Sequence, residues 1–204
     1  MKIWFRCALV LCLLTLPATA ALARKHPAPT TPGKYTDWDG EMDELEVVST
    51  FRLADYKVVV VETFDTSSTP LPEKNDNTYG PVQYVLAHAS LPFKDGLASL
   101  IPRTPVEPAE PGQKAEAGEL RVRGKVTEMD PGSQAARYWA GFGAGAARAE
   151  ITGEVVDGGT GAVLLRFKQE RRSGVGALGG NYGELMDRNL VTIGEDLGNV
   201  LRHF

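Results

Sequence analysis

Cysteine is almost missing from this 204-residue chain: there are two, Cys7 and Cys12, both within the first twelve positions. A chain cut after residue 23 would have none, which excludes a disulfide framework even in an oxidising compartment. Histidine is nearly as scarce. His26, His88 and His203 stand far apart, without metal-ligand spacing. Basic charge is not in excess either, with 22 Lys and Arg against 26 Asp and Glu. That balance gives no global pull toward nucleic acid or an anionic membrane. Beyond residue 23 no apolar run approaches the roughly 20 residues that a membrane span needs. The motifs G-x-S-x-G, S-x-x-K and H-E-x-x-H are also missing, so no familiar hydrolase centre is written in the chain.

What is present begins with an address. Lys2 and Arg6 precede the apolar run Cys7–Leu16, followed by Pro17 and the small-x-small sites Ala18-x-Ala20 and Ala21-x-Ala23. This order is a secretory signal peptide over residues 1–23, with cleavage expected after Ala23, or alternatively after Ala20. Leu9, Val10 and Leu11 stand before Cys12, where a lipoprotein signal has a small residue, so a lipid anchor is not expected. Cleavage leaves 20 Lys and Arg against 26 Asp and Glu, a formal charge of −6. The expected location is periplasmic or secreted. Peripheral membrane contact is left open and not predicted.

Residues 24–49 open on the proline-rich "RKHPAPTTPGK" and read as a flexible leader, in which Met42, Leu45 and Val48 suggest at most a short helix. The domain proper is expected over 50–204. Four consecutive valines, Val58–Val61, indicate a strand covered on both faces, central in its sheet. Val82, Val85, Leu86 and Ala89, then Phe93, Leu97, Leu100 and Ile101, have helical spacing on either side of Pro92. Pro105, Pro108 and Pro111 mark 103–118 as a proline-rich surface loop. Three runs then alternate with period two: "ELRVRGKVTEM", "RAEITGEVV" and "AVLLRFKQER", the last two joined by the turn "DGGTG". Met186, Leu190, Ile193 and Leu197 form the apolar stripe of a closing helix, with Asn181 as its cap. The fold class is α+β: a single domain with a mixed sheet, a central early strand and an antiparallel meander, flanked by helices.

The stretch "GSQAARYWAGFGAGAAR" (132–148) contains Gly141-x-Gly143-x-x-Ala146, the loosest form of a dinucleotide-binding fingerprint. A true dinucleotide loop opens a helix, whose N-terminal amides and dipole hold the pyrophosphate. Here the glycines lead into an alternating strand, so the fingerprint fails. Gly118 and Gly124-Lys125 fail as a phosphate loop too, with five residues between the glycines and Val126 where a hydroxyl is needed. No cofactor or metal is expected, and no catalytic residue is assigned; Ser133 reads as a turn residue. Two readings of the loop remain. Tyr138, Trp139 and Phe142 could cap the core from a connection between strands. Alternatively Arg137, Tyr138, Trp139, Gly141, Phe142, Gly143 and Gly145 form an interaction tip, because Tyr, Trp and Arg dominate interface hot spots. The strand face carrying Arg121, Arg123 and Lys125 either meets an anionic ligand or pairs across strands with Glu150 or Glu154.

The features G-S-x-A-A-R, then G-F-G-A-G-x-A-R, an alternating strand and D-x-x-T-G-x-V-L, all within 131–167, resemble the central motif of a bacterial envelope family filed as domain of unknown function 4410. "LADYKVVVVETFD" (53–65) resembles that family's opening strand. More distantly, the order of elements is similar to periplasmic curli-export and penicillin-binding-protein-activator lipoproteins. The first resemblance implies an exported protein of unassigned activity, often a lipoprotein, from which this chain departs at Cys12; the more distant one implies action by assembly and contact with an unidentified envelope partner, not by catalysis. The alternative is an envelope module that binds a small anionic ligand. Oligomeric state is not legible in the sequence.

Overall fold

The three alternating runs become the three long strands of one sheet. In the computed structural model, which describes residues 28–36, 42–132, 145–173 and 181–204, they are β5 (Glu119–Asp130), β6 (Ala147–Asp157) and β7 (Val163–Ser173). β5 and β6 pair antiparallel from Leu120↔Asp157 to Asp130↔Arg148, and β6 pairs with β7 in the same sense. Four shorter strands complete a seven-stranded sheet: β1 (Gly33–Thr36), β2 (Glu44–Val47), β3 (Val58–Val61) and β4 (Val106–Pro108). The order is β1-β2-β7-β6-β5-β3-β4, with β3 parallel to both neighbours and the other pairs antiparallel.

The four-valine strand lies between two others, one place in from the sheet edge. Val59 and Val61 face the core, and Val60, on the opposite face, is only 2% exposed beside Arg121 and Glu107. β4 comes from the proline-rich segment expected to be a surface loop. Pro105 and Pro108 suit an outermost strand, because only one of its edges has to donate hydrogen bonds. The rest of the excursion is tied down through Glu119, which accepts from Gln113 Nε2 and from the Glu116 amide, each at 3.2 Å.

The segment 24–49 requires a correction. It supplies β1 and β2, and Leu45, expected on the face of a short helix, instead lies in a strand, with Met42 and Val48 outside it. Leu45 and Val47 are both 2% exposed, because β2 pairs with β7 and turns them onto the same buried face as Leu165 and Phe167. Val48, the third residue of the supposed helical face, is exposed.

The three α-helices among the described residues cover one face of the sheet. α1 (Tyr79–His88) and α2 (Ser90–Leu100) meet at Ala89, and Pro92 sits in the first turn of α2, where its missing amide hydrogen is no loss. The chain therefore breaks before Pro92, not at it. α3 (Tyr182–Leu201) is capped by Asn181, whose Oδ1 accepts from the Gly183 amide at 3.0 Å. Its stripe of Leu190, Ile193, Leu197 and Leu201 is fully buried. α2 and α3 cross at backbone contact. A Cβ on Gly96 would stand 2.0 Å from the Val191 carbonyl oxygen, and one on Gly194 would stand 2.0 Å from that of Phe93. A buried polar link fastens α3 to the sheet: Asp196, 4% exposed, accepts from Arg171 at 2.5 and 2.7 Å and from Gln169 at 3.1 Å.

Candidate interaction face

Strand alternation sends the odd-numbered residues of β6 and β7 under the helices and the even-numbered ones to the other side. No described helix covers that second face. Its side chains are mostly charged, and along one row they alternate in sign from strand to strand: Lys34, Glu46, Arg166, Glu154, Arg123. Each is near the next. Lys34 Nζ lies 3.9 Å from Glu46, Arg166 bridges Glu46 at 3.2 Å and Glu154 at 3.0 Å, and Arg123 meets Glu154 at 2.6 Å. Partial burial would push the Glu154 carboxyl up, but hydrogen bonds from Arg123 and Arg166 hold it below the ordinary glutamate range. Those same carboxylates raise Arg166, Glu154 first and Glu46 second. In the next row Lys168, 3.2 Å from Glu150 and 3.8 Å from Glu44, is raised above an ordinary lysine, chiefly by Glu150.

A glycine pair lies beneath this row. Gly124 and Gly153 are directly opposite on β5 and β6. On the core side their missing side chains are replaced by rings: a Cβ on Gly124 would stand 3.1 Å from Phe64, and one on Gly153 would run into Phe167. Glycine in a strand interior marks a bend or a close approach. The uncovered face above the pair is concave, a groove of about 700 Å3 whose lining includes Lys34, Glu62, Lys125, Thr152 and Arg166.

The basic residues singled out in β5 separate by role. Arg123 forms the expected cross-strand pair with Glu154. Arg121, only 5% exposed, is held by Glu62 at 2.8 Å and Glu119 at 2.9 Å, so it ties β5 to the end of β3. Lys125 forms no ion pair among the described residues; the backbone of Asp65 bridges to it. Of the loop residues proposed as an interaction tip, Arg137, Tyr138, Trp139, Gly141, Phe142 and Gly143 lie outside the described residues, as does Ser133. Gly145 is described, at φ +71°. The loop joins two antiparallel neighbours, and its ends meet closely: a Cβ on Gly132 would stand 2.2 Å from the Gly145 carbonyl oxygen. Among the described residues no group of three or more His, Cys, Asp or Glu could hold a metal ion. No helix among them is long and apolar enough to cross a membrane.

Residues 103–177 match the family model described as Domain of unknown function (DUF4410). No curated protein matches. Among solved structures the chain is similar to the PelC dodecamer from Paraburkholderia phytofirmans, at 16% identity over 74% of this chain and 96% of that chain, with a TM-score of 0.45. A second PelC dodecamer from the same organism, carrying a point substitution, aligns at 18% identity over 75% of this chain and 95% of that one, with a TM-score of 0.44.

The DUF4410 match spans β4 to β7, and with them Arg123, Glu154, Arg166, Lys168 and both groove glycines. The remaining members of the charged rows, Lys34, Glu44 and Glu46, precede the match and come from the segment expected to be a leader. The alternation in Glu44-Leu45-Glu46-Val47 was the available signal for them, and the four-residue length of the run hid it.

Proposed function

We propose that this chain is an exported envelope protein that acts by contact and not by catalysis, and that it engages its partner through the concave charged face and the loop Arg137–Gly145. The carrying observation is the row Lys34–Glu46–Arg166–Glu154–Arg123, which crosses five strands on a face that no described helix covers. Charges fixed in place before an encounter favour specificity and association rate over raw affinity. They are poorly suited to proton transfer. Glu154 is held low and Arg166 and Lys168 high, whereas a general acid or base works best with a pKa near the operating pH. The anionic-ligand alternative has less support, because Arg121 and Arg123 already bind carboxylates of their own chain and Lys125 alone remains. Export is supported by the order of charge, apolar run and small-residue sites over residues 1–23.

The test is photocrosslinking in cells, with a probe at position 152 on the groove, a second at 139 in the loop, and a control at the exposed Tyr84 on the helical side. The same envelope protein captured from 152 and 139, and not from 84, is the expected result. Capture from 84 alone, or silence at 152 in protein shown to have lost residues 1–23, would overturn the proposal.

A further inference from the structure

The charge pattern of the uncovered face changes along the strands. In the groove, signs alternate from strand to strand. Toward the other end of β6 and β7 they fall into bands. Glu150 stands directly opposite Glu170, and two residues further along Arg148 stands directly opposite Arg172. Like charges placed directly opposite in a sheet are destabilising within the chain. Nearby charges compensate only part of this: Lys168 reaches Glu150 diagonally across the strands, and Arg172 binds Glu170 on its own strand. Arg148 makes no ion pair among the described residues, although Asp130 is opposite it on β5.

An acidic pair beside a basic pair is self-complementary. We propose that these bands form a docking surface for a second copy of the chain, related by a two-fold axis that lies between the two faces and runs across the strands midway between the bands. Rotation about such an axis places Glu170 of each copy over Arg172 of the other, and Glu150 over Arg148. In a two-fold interface the same patch serves both sides, so each such contact occurs twice. The β5 column, Glu128 and Asp130, is acidic in both bands and belongs at the margin, which centres the contact on β6 and β7. The groove row at the opposite end alternates in sign, so the same rotation offers it no equivalent match. This surface is separate from the groove, and its test does not depend on finding the envelope partner.

Sedimentation velocity on protein purified after expression of the full chain tests the proposal, with Arg148→Glu/Arg172→Glu and Glu150→Arg/Glu170→Arg as opposite charge reversals. The wild type should be dimeric at low salt and should dissociate toward about 0.5 M, where screening reduces interactions to a few Å. Each reversed variant should be monomeric, and an equimolar mixture of the two should associate again. Far-UV circular dichroism checks folding. If a reversal does not fold, Arg148→Gln/Arg172→Gln replaces it and should weaken association at least tenfold, because four modest exposed ion pairs are lost in each dimer. A wild type that stays monomeric at low salt, a mixture that stays monomeric, or variants that associate like the wild type would overturn the proposal.

Discussion

Gly194→Ala provides the sharpest test of the packing. In an isolated helix the substitution would stabilise, since alanine is better than glycine in a helix interior by about 1 kcal/mol. Here the added Cβ would stand 2.0 Å from the Phe93 carbonyl oxygen and 2.9 Å from the Leu97 amide nitrogen. Both obstacles are backbone, so no side chain can rotate out of the way. α2 and α3 must move apart by more than an ångström, and that opens the interface that buries Phe93, Leu97, Leu190 and Ile193. Overpacking of this kind typically costs about 1–3 kcal/mol and sometimes more, and a rigid obstacle belongs at the upper end. After the gain in helix propensity, the expected net loss is about 2 kcal/mol, or roughly 4–8 °C in Tm for a domain of this size. Gly80→Ala is the matched control: it lies in the first turn of α1 and its Cβ would meet nothing within 4 Å. That change should be neutral, or stabilising by up to about 1 kcal/mol. Urea unfolding followed by circular dichroism measures both. A Gly194→Ala variant as stable as wild type would refute the close crossing of α2 and α3.

Two further predictions concern pH. Glu154 has a folded pKa below its unfolded value, so its contribution to stability is present above the ordinary glutamate value of about 4.3 and is lost as pH falls through the folded pKa. Glu154→Gln should therefore flatten the acid limb of a stability-against-pH curve measured by urea unfolding; an unchanged slope would count against the ion-paired geometry. Tyr56 behaves in the opposite sense. Burial first, and then its 2.9 Å hydrogen bond to Asp157, raise it from 10.0 to about 12. Its contribution is present below about pH 10 and is lost as pH rises toward 12, because the unfolded state ionises first. Ultraviolet titration against Tyr56→Phe should show one phenol titrating late, and a difference spectrum centred near pH 10 would contradict the contact.

The legible parts of the fold are those where a period had room to repeat. Eleven or so alternating residues in each of β5, β6 and β7 marked the strands, their facing sides and the turn between the last two. The twenty residues of α3 did the same for its stripe and its cap. β1, β2 and β4 were missed because three or four residues show too little of a period, and in β4 the prolines resembled a solvated loop. Val58–Val61 was read as a covered strand because its apolar run is continuous, but burial on both faces does not specify distance from the edge. The Arg123–Glu154 pair was accessible as one of two open readings. The full row was not, since Lys34 and Glu46 are brought alongside Arg166 by pairing between residues more than a hundred positions apart. Nothing local in the sequence records that register.

The same pairing bears on what the DUF4410 match can be by itself. Residues 103–177 contain β4 to β7, whereas α1, α2 and α3 lie outside the span. Val122, Val126, Ile151, Val155 and Leu165 are fully buried in the whole chain. In the span alone, one face of the sheet would present these residues to water, because α1, α2 and α3 lie outside it. Phe167 would lose its stacking partner Phe93, and Arg171 and Gln169 would lose Asp196. A sheet with one bare apolar face does not stand as an independent unit. Expressed alone, 103–177 should aggregate or show no cooperative unfolding, while 28–204 should unfold in one transition. A cooperative melt from the isolated span would mean that its own strands bury that face in some way the helices do not supply. With the helices required, the uncovered face is held in register by packing on its far side, and this is what fixes its charges in rows before a partner arrives.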